Sequence, residues 1–141
     1  MREDQIAIEQ LLNRYCHKLD RGEIDAVIEL FADDAVLIPA YEGDARHAGR
    51  AAVHAWYTRY AANTIAAVRG LRHKISTAMI EVNGDSATSV CYLDADSVNL
   101  QTGKRSLVGG RYEDRLVRTP DGWRIAERRI VIDYASTLPG N

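Results

Sequence analysis

Tyr15 and Asp20 are the first residues along the chain whose types and placement could do chemistry. Ile8, Leu11, Leu12, Tyr15 and Leu19 recur at three- and four-residue spacing, which stacks them on one face of a helix. Tyr15 shares that buried stripe, and Asp20 falls just past its end, where a carboxyl group can look into a cavity rather than into water. Each also has a plain structural reading. Tyr15 would serve equally as a core aromatic whose hydroxyl finds some partner, and Asp20 as a helix terminator before Arg21-Gly22. His73 stands between Arg72 and Lys74 in a strand-like run, where a slip of one residue in phase reverses which face the imidazole takes. In Glu127-Arg128-Arg129, strand alternation sends one arginine inward and the other outward. The competing role for the inward one is a cross-strand ion pair with Glu113 or Asp114.

Other reactive types are less promising. His17 and His54 lie on helices beside charged or exposed neighbours, and His47 lies in a loop. No pair has the spacing of metal ligands, so no metal is expected. Gly109-Gly110 sits inside a strand with no helix N-terminus to receive a phosphate, and reads as a bulge or a point of close approach. Cys16 and Cys91 read as buried free thiols. Tyr41, Trp56, Tyr57, Tyr60 and Tyr92 suit a pocket lining and suit a core equally well.

These residues must be positioned by the elements around them. After the first helix, Gly22 suits the helix exit, and Ile24, Val27, Ile28 and Phe31 form a second apolar stripe. Ala32-Asp33-Asp34 punctuates at a solvated corner, and Ala35–Ile38 reads as a strand closed by Pro39. A short edge strand is expected around Arg46 and His47. A third helix spans Gly49 to Asn63, with Val53, Trp56, Tyr57 and Tyr60 on one face. From Gly70 the pattern changes to strands. Leu71–Val82 and Ser86–Asn99 flank Asn83-Gly84-Asp85, a hairpin signal. Arg105–Arg118 and Trp123–Tyr134 follow, separated by Thr119-Pro120-Asp121-Gly122. The tail Ser136–Asn141 reads as frayed. Helices first and a long antiparallel meander afterwards predict an α+β fold in one domain over residues 1–141. Long strands curl, and three helices covering the concave face would make a cone-shaped α+β barrel with an apolar interior and an open mouth, a natural small-ligand pocket.

Composition narrows the function class. At 141 residues the chain can bury a core without staples. It is 46% apolar and 27% charged, ordinary for a globular protein, and its net charge of −2 advertises neither a nucleic-acid nor an anionic-membrane partner. No apolar run approaches the ~20 residues of a membrane span. The N-terminus MREDQ lacks the apolar core of a secretory signal, and a cytoplasmic location is expected.

Three segments carry a family resemblance: RYCHKLDRGEIDAVIELFADDAVLI, RHKISTAMIEVNGDSATSVCYL and GRYEDRLVRTPDGWRIAERRIVID. They resemble the SnoaL-like division of the NTF2-like superfamily, over roughly Ile6 to Tyr134. That division includes scytalone dehydratase, hexachlorocyclohexane dehydrochlorinase, a bile-acid dehydratase, polyketide cyclases and the largely structural β subunits of ring-hydroxylating dioxygenases. The dehydratase-like members use an Asp–His dyad, the Asp following the first helix and the His opening the first long strand. The resemblance places that dyad at Asp20 and His73. The bile-acid enzyme has a Tyr five residues before its Asp, which is Tyr15 here, and an Arg on the final strand corresponds to Arg128, with Arg129 as the alternative register. Ketosteroid isomerases carry their base Asp near the end of the first strand. That position here is Ile38-Pro39-Ala40, without an acid, so the isomerase base is missing.

Such a set could run an elimination without a cofactor. A carboxylate bonded to one ring nitrogen fixes the tautomer and stabilises the imidazolium formed on proton abstraction. Tyr15 would donate to a leaving oxygen or enolate, and Arg128 would hold developing negative charge. The expectation is a lyase of dehydratase type acting on a small hydrophobic cyclic or polyketide-like molecule, with Tyr41, Trp56, Tyr60 and Tyr92 lining the pocket. The alternatives are a non-catalytic ligand-binding or structural module, or a proton-transfer isomerase or cyclase using the same pocket. The outer sheet face is expected to form a homodimer or homotrimer.

Overall fold

In the computed structural model, which describes residues 2–139, the first apolar stripe forms α1 (Arg2–Asp20) and buries Ile8, Leu11, Leu12, Tyr15, Cys16 and Leu19. Gly22, at φ +70°, closes it. The Gly22 amide donates to the Leu19 carbonyl and the Glu23 amide to the Lys18 carbonyl, which satisfies two otherwise orphaned acceptors. This exit aims Asp20 at the sheet instead of letting the helix run on past it. A short α2 (Ile24–Ile28) follows, then β1 (Phe31–Pro39), a 3₁₀ turn at Ala40–Glu42, β2 (His47–Ala48) and α3 (Arg50–Asn63). Four long strands complete the chain: β3 (Val68–Asn83), β4 (Ser86–Asn99), β5 (Arg105–Thr119) and β6 (Gly122–Leu138).

The strands make one six-stranded sheet in the order β2-β1-β6-β5-β4-β3, antiparallel except where β1 runs parallel to β6. The sheet does not close, so the expected barrel is an open cone whose edges are β2 and β3. Its inner face is covered by the helices. The core joins α1 and α3 to inward residues of β4, β5 and β6, including Cys91, Leu93, Tyr112, Leu116, Ile125 and Ile130.

Two expectations need correction. Phe31 does not extend the second helix; it opens β1, because the Ile125 amide donates to the Leu30 carbonyl at 2.8 Å and draws the chain into the ladder of β6. Between Phe31 and Val36 the register against β6 shifts, and the exposed Asp33 and Asp34 lie in that irregular stretch. The tail is also less frayed than its composition implies. β6 continues through Leu138, which pairs with Arg105, while the last two positions lie outside the described residues.

Bulges bend the strands. In β3 one lies between Arg69 and Arg72, around Gly70 at φ +64°, and a second between Ser76 and Met79. Another falls opposite Gly109 and Gly110, as the sequence suggested. A methyl group at Gly110 would lie 1.9 Å from the Val131 carbonyl oxygen, and one at Gly109 would lie 2.3 Å from the Tyr134 ring. Gly110→Ala is therefore expected to cost at least the ~1–3 kcal/mol typical of overpacking, because backbone rather than a flexible side chain must yield. A urea midpoint equal to wild type would contradict this.

Candidate functional site

The inner face of the sheet and the helices above it enclose a cavity of about 340 Å³ with mostly apolar walls. His73 reaches it from β3, where it pairs across the ladder with the buried Ala95 and so takes the inward phase. Asp20 meets it from the end of α1. Its carboxylate accepts the His73 main-chain N–H, at 3.1 and 3.0 Å to the two oxygens, and lies 2.6 Å from the ring Nδ1. An ionised carboxylate only accepts, so Nδ1 is the ring nitrogen that donates to Asp20. Only 7% of the imidazole surface is exposed, although His73 lines the cavity.

A second polar group lies among the aromatic rings of the wall. The Tyr15 and Tyr57 hydroxyls share a short hydrogen bond, and both residues line the cavity. Burial raises both phenols above their ordinary pKa, while the positive charge of Arg128 pulls in the opposite direction. Arg128 is wholly buried. Its Nε and Nη2 donate to Asp114 at 2.8 and 2.7 Å, and its guanidinium packs over the rings of both Tyr15 and Tyr112, 4.2 and 4.0 Å from their centroids. Burial works against the cation, but the Asp114 carboxylate more than offsets it and holds Arg128 well above the ordinary arginine range. Arg128 thus takes the inward register, whereas Arg129 turns outward to Asp44 and Glu113. Arg128 does not line the cavity; Tyr15 and Tyr112, which contact it, do.

Of the four pocket aromatics expected, Tyr41, Trp56 and Tyr60 line the cavity, the last two stacked with centroids 5.5 Å apart. Tyr92 does not. Alternation along β4 buries Cys91 and Leu93 and turns Tyr92 to the outer face, where it is 56% exposed. Sequence reasoning missed Tyr57 as the partner of Tyr15 and gave Tyr112 no role. Tyr112 shares its face of β5 with Asp114 and Leu116, so period-two alternation was the signal that could have found it.

The remaining histidines are elsewhere. His54 bonds Asp25 at 3.0 Å on the surface, and His47 lies 3.7 Å from Glu42. Among the described residues no group of three or more His, Cys, Asp or Glu side chains is arranged to hold a metal ion. Both cysteines are buried and unpaired. Burial pushes the thiols up, to about 12 for Cys16 and about 11 for Cys91. A raised folded pKa favours folding below the unfolded value, and that contribution is lost as pH rises through the folded one. The protein should accordingly lose stability above pH 9.0, the ordinary thiol value, with part of the loss removed in a Cys16→Ala variant. Neither thiol should react with a disulfide reagent at mildly alkaline pH until the chain unfolds. Stoichiometric labelling of the folded protein would contradict that.

With this geometry in place, comparison with known proteins is informative. A family model described as SnoaL-like domain matches residues 1–129. An uncharacterized protein of Mycobacterium tuberculosis is 30% identical over 132 residues, covering 89% of this chain and 82% of the relative. A solved structure from Novosphingobium aromaticivorans, named for an aromatic ring hydroxylase, is 27% identical with TM-score 0.83, covering 98% of this chain and 95% of that one. A second from the same organism, named for scytalone dehydratase, has TM-score 0.80 over 99% of this chain and 97% of its own. At 19% identity it speaks to the fold alone. The match of that family model over residues 1–129, on a chain whose helices cover an open six-stranded sheet, makes the chain a member of the SnoaL-like family, within the NTF2-like superfamily.

Proposed function

We propose that the protein is a cofactor-independent lyase of dehydratase type acting on a small hydrophobic cyclic or polyketide-like substrate. The observation that carries this is the 2.6 Å contact between Asp20 and the His73 Nδ1, at the wall of an apolar cavity. In the proposed reaction the His73 Nε2 removes a proton from the carbon next to a carbonyl. The released electron pair forms the carbon–carbon double bond as the β-hydroxyl departs. That hydroxyl leaves as water, taking a proton from the Tyr15–Tyr57 pair; the imidazolium then returns a proton to the phenol, directly or through water. Asp20 stabilises the imidazolium meanwhile. Arg128 acts from behind the Tyr15 ring, its charge favouring negative charge on the phenolic oxygens.

The test is a panel of β-hydroxy ketones and cyclic alcohols, followed by the absorbance of a conjugated product. Wild type should turn over at least one member and His73→Gln none. A substrate processed equally by both would remove the mechanism.

A second reading has its own support. The resemblance to the β subunits of ring-hydroxylating dioxygenases, together with 27% identity to a protein named for an aromatic ring hydroxylase, supports a structural module associated with a larger oxygenase chain. Co-purification with an iron-containing partner would select it. The exposed Met79, Tyr92 and Tyr134 on the outer sheet face support a homodimer or homotrimer formed there. Light scattering that finds only monomer at micromolar concentration would exclude that. Among the described residues no helix is long and apolar enough to cross a membrane.

A further inference from the structure

Beside the cavity lies a second, shallower space of about 260 Å³ lined by Tyr41, Glu42, Trp56, Arg59, Tyr60, Asn63 and Thr64. Tyr41, Trp56, Tyr60 and Thr64 belong to both linings, so the apolar cavity and this groove adjoin along the stacked rings of Trp56 and Tyr60. The charges around the two spaces are unequally matched. Asp96, in the cavity lining, already accepts from Arg72 at 2.9 Å and Lys74 at 2.6 Å. Glu42, in the groove, accepts the Trp56 indole N–H with both oxygens at 3.2 Å and has His47 at 3.7 Å. Among the described residues Arg59 is the single lysine or arginine lining either space, and no hydrogen bond or ion pair engages it there. Asn63, one helical turn further along α3, adds an amide donor to the same wall.

We propose that the groove receives the carboxylate of an apolar, ring-bearing acid whose ring occupies the cavity, with Arg59 and Asn63 as its contacts. A guanidinium presents its N–H groups in a fork matched to a carboxylate, and the aromatic edge shared by the two spaces would accommodate the junction between ring and tail. The proposal shares with the lyase reading the premise that the cavity holds the ligand, and does not require that anything react there.

The experiment titrates the full chain with naphthylacetate and with its neutral isostere naphthylacetamide, reading binding by calorimetry. At low salt the carboxylate should bind about three- to fivefold more tightly than the amide, the size expected of an exposed ion pair, and added salt should shrink the difference. Arg59→Gln should abolish the preference and leave the amide affinity unchanged. Glu42→Gln, which removes the one carboxylate lining the groove, should enlarge it. Equal affinities in wild type, a preference that survives Arg59→Gln, or failure of both probes to bind would each overturn the proposal. His73→Gln separates the two ideas: it should retain the carboxylate preference whether or not any elimination is found, so loss of one result leaves the other standing.

Discussion

Asp114→Ala should lower stability by about 3–5 kcal/mol, the usual cost of leaving a buried charge without its partner. Both side chains of the pair are wholly inaccessible, and Asp114 supplies both of the hydrogen bonds that Arg128 makes. Its Nη1 already lacks a partner, and the Oγ of Ser89, the cross-strand neighbour of Asp114, is buried and unpartnered as well. A neutral hydroxyl such as that of Ser89 could accept a guanidinium N–H but could not replace the lost negative charge. For a domain whose total stability is ~5–15 kcal/mol, the loss is large, and a thermal midpoint lowered by roughly 10 °C or more is expected. The double variant Asp114→Leu, Arg128→Met should recover most of it, because replacing both partners with apolar groups of similar volume removes the desolvation cost together with the attraction. A single variant melting with wild type, or a double variant no better than the single, would show that the pair matters little to the fold.

Asp20→Asn should leave the fold intact and lower turnover by ~10²–10⁴-fold on whichever substrate the panel identifies. The asparagine oxygen can still accept the His73 main-chain N–H, which holds the end of α1 against β3. What it loses is the negative charge 2.6 Å from the Nδ1. The side-chain amide can also rotate its NH₂ toward the ring, which would put the proton on the wrong imidazole nitrogen. The effect should fall on kcat more than on KM, since the charge matters most once the imidazolium has formed. Equal kcat in wild type and variant would mean that the contact is structural only.

The readable parts of the fold were those written in local periodicity. The stripe from Ile8 to Leu19, the helix exit at Gly22, the face of α3 carrying Val53, Trp56 and Tyr57, and the turn at Asn83-Gly84 all depend on neighbours within a few residues. Phe31 was misplaced because its role depends on β6, more than ninety positions away, whose Ile125 amide captures the Leu30 carbonyl. Tyr92 was misplaced because an aromatic in a strand fits either face, and only the partners of Cys91 and Leu93 fix the phase.

Most element types, the amphipathic faces and the chemical groups available are local properties, since each follows from side-chain type and a repeat of two or three to four residues. Tertiary structure alone decided which groups meet. The bulge around Gly70 adds a residue to β3 and so affects which face His73 takes, and no local pattern announces it. Pairing of β5 with β6 likewise sets Asp114 opposite Arg128 and turns that arginine from a group expected in the pocket into a carboxylate-paired cation over the Tyr15 ring. Register is a property of two strands together, and one strand read alone cannot contain it.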